Sequence, residues 1–204
     1  MIKCAKEIRA TAVVALKEKW GSAVLTTLVL FVIAYAASVI LAFIPRVNIV
    51  AVIVTVILTS DFDKVAFLTM LRTGEQVQVD CVFDLFKESR LWVTILLMYV
   101  YKSLWALLFI IPGIIKGYAY AMTPFILNDN PDLRANEAIE LSMAMMNGHK
   151  WDLFCLKLSF IGWVLLCIFT FGIGYLWLIP YKYTSYAVFY EDVKAEFGSR
   201  AIAQ

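Results

Sequence analysis

AVLTTLVLFVIAYAASVILAFI, residues 23–44, contains no charged side chain and runs straight into Pro45 and Arg46. The hydrocarbon core of a bilayer is about 30 Å thick and is crossed by roughly 20 apolar residues in helical form. In lipid the backbone N–H and C=O groups of such a stretch must pair within the segment, which makes it a helix. The fold is therefore read from a membrane-crossing helix outward.

The rest of the chain agrees with that start. Of its 204 residues 62% are hydrophobic and 17% are charged, and the mean hydropathy is +0.80. A soluble domain is roughly half apolar and about a quarter charged. The excess is gathered in blocks, and the short alternating segments of a β-barrel are missing. After residues 23–44 a second segment begins near Val47, is apolar to Thr59, and meets Asp61, Asp63 and Lys64 before Leu71. A third spans Leu91 to Ile111 and is expected to stop at Pro112-Gly113, where proline removes a donor and glycine permits a sharp turn. A fourth, Ile114 to Leu127, is short and interrupted by Pro124. A fifth runs from Leu153 to Phe171, and Gly172-Ile173-Gly174 reverses the chain into a sixth, Tyr175 to Tyr190. The expected fold is all-α: a polytopic helical membrane protein of about six transmembrane segments, forming one domain over 1–204.

Three amphipathic helices accompany the spans. Residues 1–21 are too charged for a simple signal-peptide n-region, and Ile8, Ala12, Leu16 and Trp20 recur at helical spacing, so a helix on the inner membrane surface is expected. Within 73–90, Val79, Val82, Phe83 and Phe86 share a face. Within 131–148, Asn130 and Pro131 give a helix start and Asn147-Gly148 an end.

Orientation follows from counting Lys and Arg, which gather in cytoplasmic loops. With both termini inside, thirteen of the eighteen are inner: five in residues 1–21, then Lys64, Arg72, Lys87, Arg90, Arg134, Lys150, Lys194 and Arg200. Arg46 alone is clearly outside. Lys102, Lys116, Lys157 and Lys182 fall within or beside spans. A five-segment alternative would put Arg134, Lys150, Lys194 and Arg200 outside, so six is preferred.

A net charge of +2 gives no ground for nucleic-acid binding. Cys4, Cys81, Cys155 and Cys167 form no CxxC pair, and free thiols are expected. With one histidine, His149, there is no HExxH or other metal set, and no metal or cofactor is expected.

The second half carries a denser pattern. LLFIIPGIIK (107–116) leads to YAY (118–120), NDNP (128–131), EAI (137–139), Ser142 and MMNGHK (145–150). LSFIGW (158–163), TFGIG (170–174), Pro180-Tyr181 and Phe189-Tyr190 follow. Together these resemble the bacterial integral membrane proteins grouped as domain-of-unknown-function family 975. At residues 59–63 the chain departs from the pattern, with Thr-Ser-Asp-Phe-Asp where a Pro/Gly-marked segment is expected. The resemblance implies a multi-pass protein of a bacterial plasma membrane and no established activity.

The unusual residues are lysines inside apolar blocks. An intramembrane charge is costly and normally faces a bundle interior, a cavity or an opposite charge. Lys102 sits about ten residues from either end of its segment, and Lys182 follows Pro180. The sharp reading is a cationic pocket for an anionic headgroup, built from Lys102 and Lys182 with Asp61 and Tyr181. The plain reading is that each lysine snorkels to an interface or pairs with Asp61, Asp63 or Asp152. The two stand level for Lys102 and Lys182. For Lys157, nearer the inner face, snorkelling is preferred. Glu137 and Glu140 read as a solvated face, and Ser142, Ser159 and His149 lack the context of a hydrolase site. The expected function is a non-enzymatic membrane protein that binds membrane lipid or another anionic amphiphile, or organises a membrane partner or homo-oligomer. The alternative is a small transporter or exporter component.

Overall fold

The computed structural model describes residues 3–42, 61, 63–74, 89–108, 110–170 and 172–202. Every regular element among them is helical.

Helix α1 (Ala5–Leu16) opens with the amide of Cys4 donating to the Glu7 carboxylate at 3.0 Å, which satisfies one of the donors every helix start leaves over. Its face Ile8, Ala12 and Leu16 is almost fully buried. That face packs on the C-terminal helix of the fold, so protein covers the stripe expected on the bilayer surface. Glu18, at φ 69°, makes the corner into α2 (Trp20–Ala42), and the axis turns by 96°. Residues 63–73 form α3. Of the helix expected within 73–90, residues 75–88 lie outside the described residues, as do 47–60 of the second segment.

Helix α4 (Ser89–Leu108) is followed by α5 (Ile110–Ala119), which folds back along it: Met98 packs with Ala119 and Tyr120. The reversal comes before Pro112-Gly113, not at it. Pro112 sits in the first turn of α5, where its missing N–H costs nothing. The fourth segment is broken: α5 ends, and α6 (Thr123–Asp129) starts with Pro124 in its first turn. Buried Ser142 bridges the break. Its Oγ donates to the Ala119 carbonyl at 2.8 Å and accepts from the Met122 amide at 3.3 Å.

Helix α7 (Ala135–Met145) begins four residues later than the Asn130-Pro131 signal suggested. Asn130 instead terminates α6, with its amide and its Nδ2 both on the Ile126 carbonyl, and Pro131 follows a helix end rather than starting a helix. The start signal that operates is Glu137, which accepts from the Arg134 amide at 2.9 Å. Helices α8 (Lys150–Leu158) and α9 (Ile161–Phe169) form one rod with an irregular turn at Ser159-Phe160. The Ser159 carbonyl at that turn accepts from Arg9 Nη1 at 3.3 Å. Gly172, at φ 88°, turns the chain into α10 (Tyr175–Ile202), which runs twelve residues past the expected end at Tyr190.

Helix α10 is the axis of the molecule. Tyr183 to Tyr190 are buried on every face, and α10 packs against α1, α2, α7 and α9. The main core gathers Phe67, Phe125, Phe160, Phe189 and Tyr190. The outside is apolar too: Leu25, Phe31, Val32 and Tyr35 of α2 and Leu166, Ile168 and Phe169 of α9 are exposed, whereas Thr26 and Thr27 are buried. Among the described residues the α8–α9 rod, residues 150–169, is long and apolar enough to cross a membrane by itself. Helix α1 with residues 20–36 meets that test as a bent pair, and Leu91–Leu104 is apolar but shorter.

Candidate functional site

Asp63 opens α3 and Asp61 stands just before it; both are buried. Lys64, one turn on, forms an ion pair with Asp61, whose other oxygen accepts from Tyr99 Oη of α4 at 2.9 Å. One turn from Tyr99, Lys102 lays its ammonium over the Tyr99 ring at 4.7 Å from the centroid. On α10, Lys182 stands over Tyr183 at 4.9 Å and within electrostatic reach of Lys64 and Asp63. On α8, Lys157 stands over Tyr118 at 4.3 Å and near Tyr186 at 6.0 Å. It feels the charges of Lys64, Lys102, Lys182 and Asp61 together.

Four lysines from four helices thus lie within electrostatic reach of one or other of the two aspartates. Lys102, Lys157 and Lys182 make no salt bridge among the described residues; a tyrosine face screens each of them instead. Asp63 Oδ1 is buried and has no hydrogen-bond partner among the described residues. Among the described residues the group holds more cations than carboxylates.

Of the residues singled out in the sequence, Lys102 and Asp61 share Tyr99, and Lys182 approaches the group through Lys64 and Asp63. Tyr181 does not join them. One helical step of about 100° from Lys182 turns it to the other side of α10, against Phe160 and Trp163 at ring distances of 5.2 and 6.3 Å. There it lines an apolar groove of about 450 Å³ with Val13, Trp20, Trp163 and Trp177. Tyr183 takes the place expected for it. Lys64 and Lys157 were missed as site residues. Their one signal in the sequence is a charge set against an apolar block, the signal that marked Lys102.

A second charged group differs in kind. Asp129, at the end of α6, accepts both ends of the Arg72 guanidinium, Tyr190 Oη at 2.7 Å and Lys194 at 2.5 Å, while Arg72 also pairs with Glu191. Burial pushes the Asp129 carboxyl up, but hydrogen bonds from Arg72, Lys194 and Tyr190 and the Arg72 charge outweigh it and hold the group down at about 2. Here every cation has a carboxylate. The network ties α3, α6 and α10 together. His149 lies between Asp152 at 3.4 Å and Glu196 at 3.7 Å, and Ser159 Oγ donates to the Leu156 carbonyl at 2.7 Å. Cys4, Cys155 and Cys167 are free thiols; Cys81 lies outside the described residues. Among the described residues no group of three His, Cys, Asp or Glu side chains is placed to hold a metal.

These features define an all-helical protein with an apolar exterior and a lysine-rich interior cluster. The chain belongs to the family described as "Protein of unknown function (DUF975)", whose model matches residues 1–116 and 107–196. No match was found among curated proteins or among solved structures.

Proposed function

We propose that the chain is a multi-pass membrane protein, six segments with both ends in the cytoplasm, whose lysine cluster binds the anionic headgroup of a lipid or related amphiphile. The exterior supports the first half of this reading. Leucine, valine and phenylalanine point outward along α2 while its threonines point inward, an arrangement at ease against acyl chains and a liability in water. The number and direction of crossings rest on the lysine and arginine distribution.

One observation carries the binding reading. Lys102, Lys157 and Lys182 hold the ammonium groups of half-buried side chains over tyrosine rings, with carboxylates too few to neutralise them. A buried charge is tolerated when a partner arrives, and a lipid headgroup is the anion available at such a depth. The aromatic seats hold each ammonium and leave it donors that point away from the ring.

The test is Lys102→Met and Lys182→Met, each keeping the stem and removing the charge. Native mass spectrometry of gently extracted protein should find anionic lipid on the parent and several-fold less on either variant, with thermal stability retained. Unchanged lipid in both variants would remove the reading. Lost stability with no lipid on the parent would assign the lysines to structure.

A further inference from the structure

We propose that the apolar groove between α9 and α10 binds a long-chain fatty acid, its tail along the groove and its carboxylate at Arg9. The site lies apart from the lysine cluster and does not depend on it.

The groove has an apolar length and one polar end. Trp163 and Thr170 line one side and Gly174 and Tyr181 the other, each pair seven residues apart, or about 10 Å at 1.5 Å per residue. Val13 and Trp20 line it from α1 and the start of α2. The Thr170 hydroxyl is committed, donating to the Cys167 carbonyl and accepting from the Gly174 amide. Trp163 and Trp177 are exposed and Trp20 is half-buried, so the slot opens onto the apolar exterior beside Leu166. A groove of this lining takes an apolar chain.

Three helices place Arg9 at the Tyr181 end. Val13, one turn on from Arg9 along the same face of α1, lines the groove, and so does Trp163, one turn on from Ser159. Arg9 Nη1 donates to the Ser159 carbonyl at 3.3 Å, and Tyr181 lies within electrostatic reach of Arg9. Arg9 makes no salt bridge among the described residues, and its Nε is buried without an acceptor. Half-buried Tyr181 makes no hydrogen bond through its hydroxyl among those residues. A half-buried guanidinium without a counter-ion is costly. A carboxylate offers it two oxygens in matching geometry and can accept from Tyr181 as well.

The setting of Arg9 also limits the head. Its side chain is half-buried where α1, the α8–α9 turn and α10 meet. A carboxylate adds two oxygens to the chain and nothing more. A phospholipid brings glycerol and a second chain, for which a single groove ending on a half-buried guanidinium offers no place.

Full-length protein in mild detergent, at about pH 9 so that a micelle-bound carboxyl is ionised, is titrated with a fatty acid dibrominated at mid-chain. Bromine quenches an indole that it touches, and Trp20, Trp163 and Trp177 line the groove. Quenching of tryptophan fluorescence should saturate and be reversed by the unbrominated acid. The brominated fatty alcohol of the same length should bind on the order of tenfold more weakly, the worth of a charge-assisted hydrogen bond. That preference should fall toward unity in Arg9→Gln, which can still donate to the Ser159 carbonyl, and survive in part in Arg9→Lys. Val13→Phe narrows the groove from an exposed position and should weaken acid and alcohol alike, a reading that stands even where Arg9→Gln fails to fold. Quenching that never saturates, or binding unchanged in Val13→Phe, overturns the groove as a site. Equal binding of acid and alcohol, or a preference kept in Arg9→Gln, overturns Arg9 as the seat of the carboxylate. Brominated phosphatidylglycerol that quenches as well as the acid overturns the single-chain assignment.

Discussion

Replacing Asp129 by Asn removes one charge from the most heavily bonded carboxylate described in the molecule. Its side chain is 4% exposed and is held by Arg72, Tyr190 and Lys194. Its carboxyl sits at about 2 against an ordinary 3.8. At about 1.4 kcal/mol for each pH unit the difference is ~2.5 kcal/mol, and less once solvent screening of Arg72 and Lys194 is allowed for, since these are 32% and 46% exposed. Asn also turns a donor toward one of the three donors, leaving a buried group unsatisfied, so a total loss of about 2–3 kcal/mol is expected. That corresponds to roughly 5–10 °C in thermal unfolding at fixed detergent and lipid. The sign of the pH dependence is set by the lowered folded-state value. The contribution is complete above the ordinary carboxylate range and is lost as pH falls from about 4 toward 2. The difference in stability between parent and Asp129→Asn should therefore shrink over that window. A double-mutant cycle with Lys194→Met should be non-additive, because the two groups touch. An Asp129→Asn protein that melts with the parent, or an additive cycle, would refute the view that this network fastens α3 and α6 to α10.

The remaining predictions are brief. Ser142→Ala strips the Ala119 carbonyl and the Met122 amide of their bridge and should cost about 1–3 kcal/mol in an unfolding titration, which tests the structural role given to that hydroxyl. Gly174→Ala would place its Cβ 2.9 Å from Cys167 Sγ and 3.0 Å from Thr170 Oγ1, the latter held by its own hydrogen bonds, so a destabilisation of about 1–3 kcal/mol is expected by the same assay. Reporter fusions after Asn147 and at Gln204 should both score as cytoplasmic, and an outside score at either position would require an odd number of crossings.

Helices announced by long apolar runs were legible in the sequence. Residues 20–42, 89–108 and 150–169 fall where composition put them, because a run of that length has few other ways to satisfy its backbone. Boundaries set by local chemistry were harder to read. Asn130-Pro131 has the residues of a helix start and serves as a helix stop, because Asn caps either end and Pro follows a C-terminus as readily as it opens an N-terminus. Pro112-Gly113 looks like a reversal, yet its proline fits the first turn of a helix just as well. Tyr181 and Tyr183 could not be told apart as partners for Lys182, since each flanks it. What separates them is the rotation of α10 against α9, and that is set by Phe160 and Trp163 rather than by residues nearby in the chain.

Depth along the helices separates two kinds of charge. On α10, Lys182 and Tyr190 are eight residues apart, about 12 Å at 1.5 Å per residue. On the antiparallel rod, Lys157 and His149 are also eight apart, and Lys157 faces Tyr186 where His149 faces Glu196. One layer therefore holds Asp129 and Glu191 with Arg72 and Lys194, and Asp152 and Glu196 beside His149, and a second lies about two turns away with Lys102, Lys157 and Lys182. In the first layer each cation meets a carboxylate, and Arg72 meets two. In the second, three lysines meet tyrosine rings. A fold that needed these lysines only to hold its helices together would pair them as the first layer does, because a buried unpaired charge costs more than a paired one. The tyrosine seats keep the ammonium groups in place and available. If the second layer is a binding site, replacing Lys102 or Lys182 by Met should leave stability nearly unchanged, while Asp129→Asn lowers it. Equal destabilisation in both layers would mean that the two kinds of charge do the same structural work.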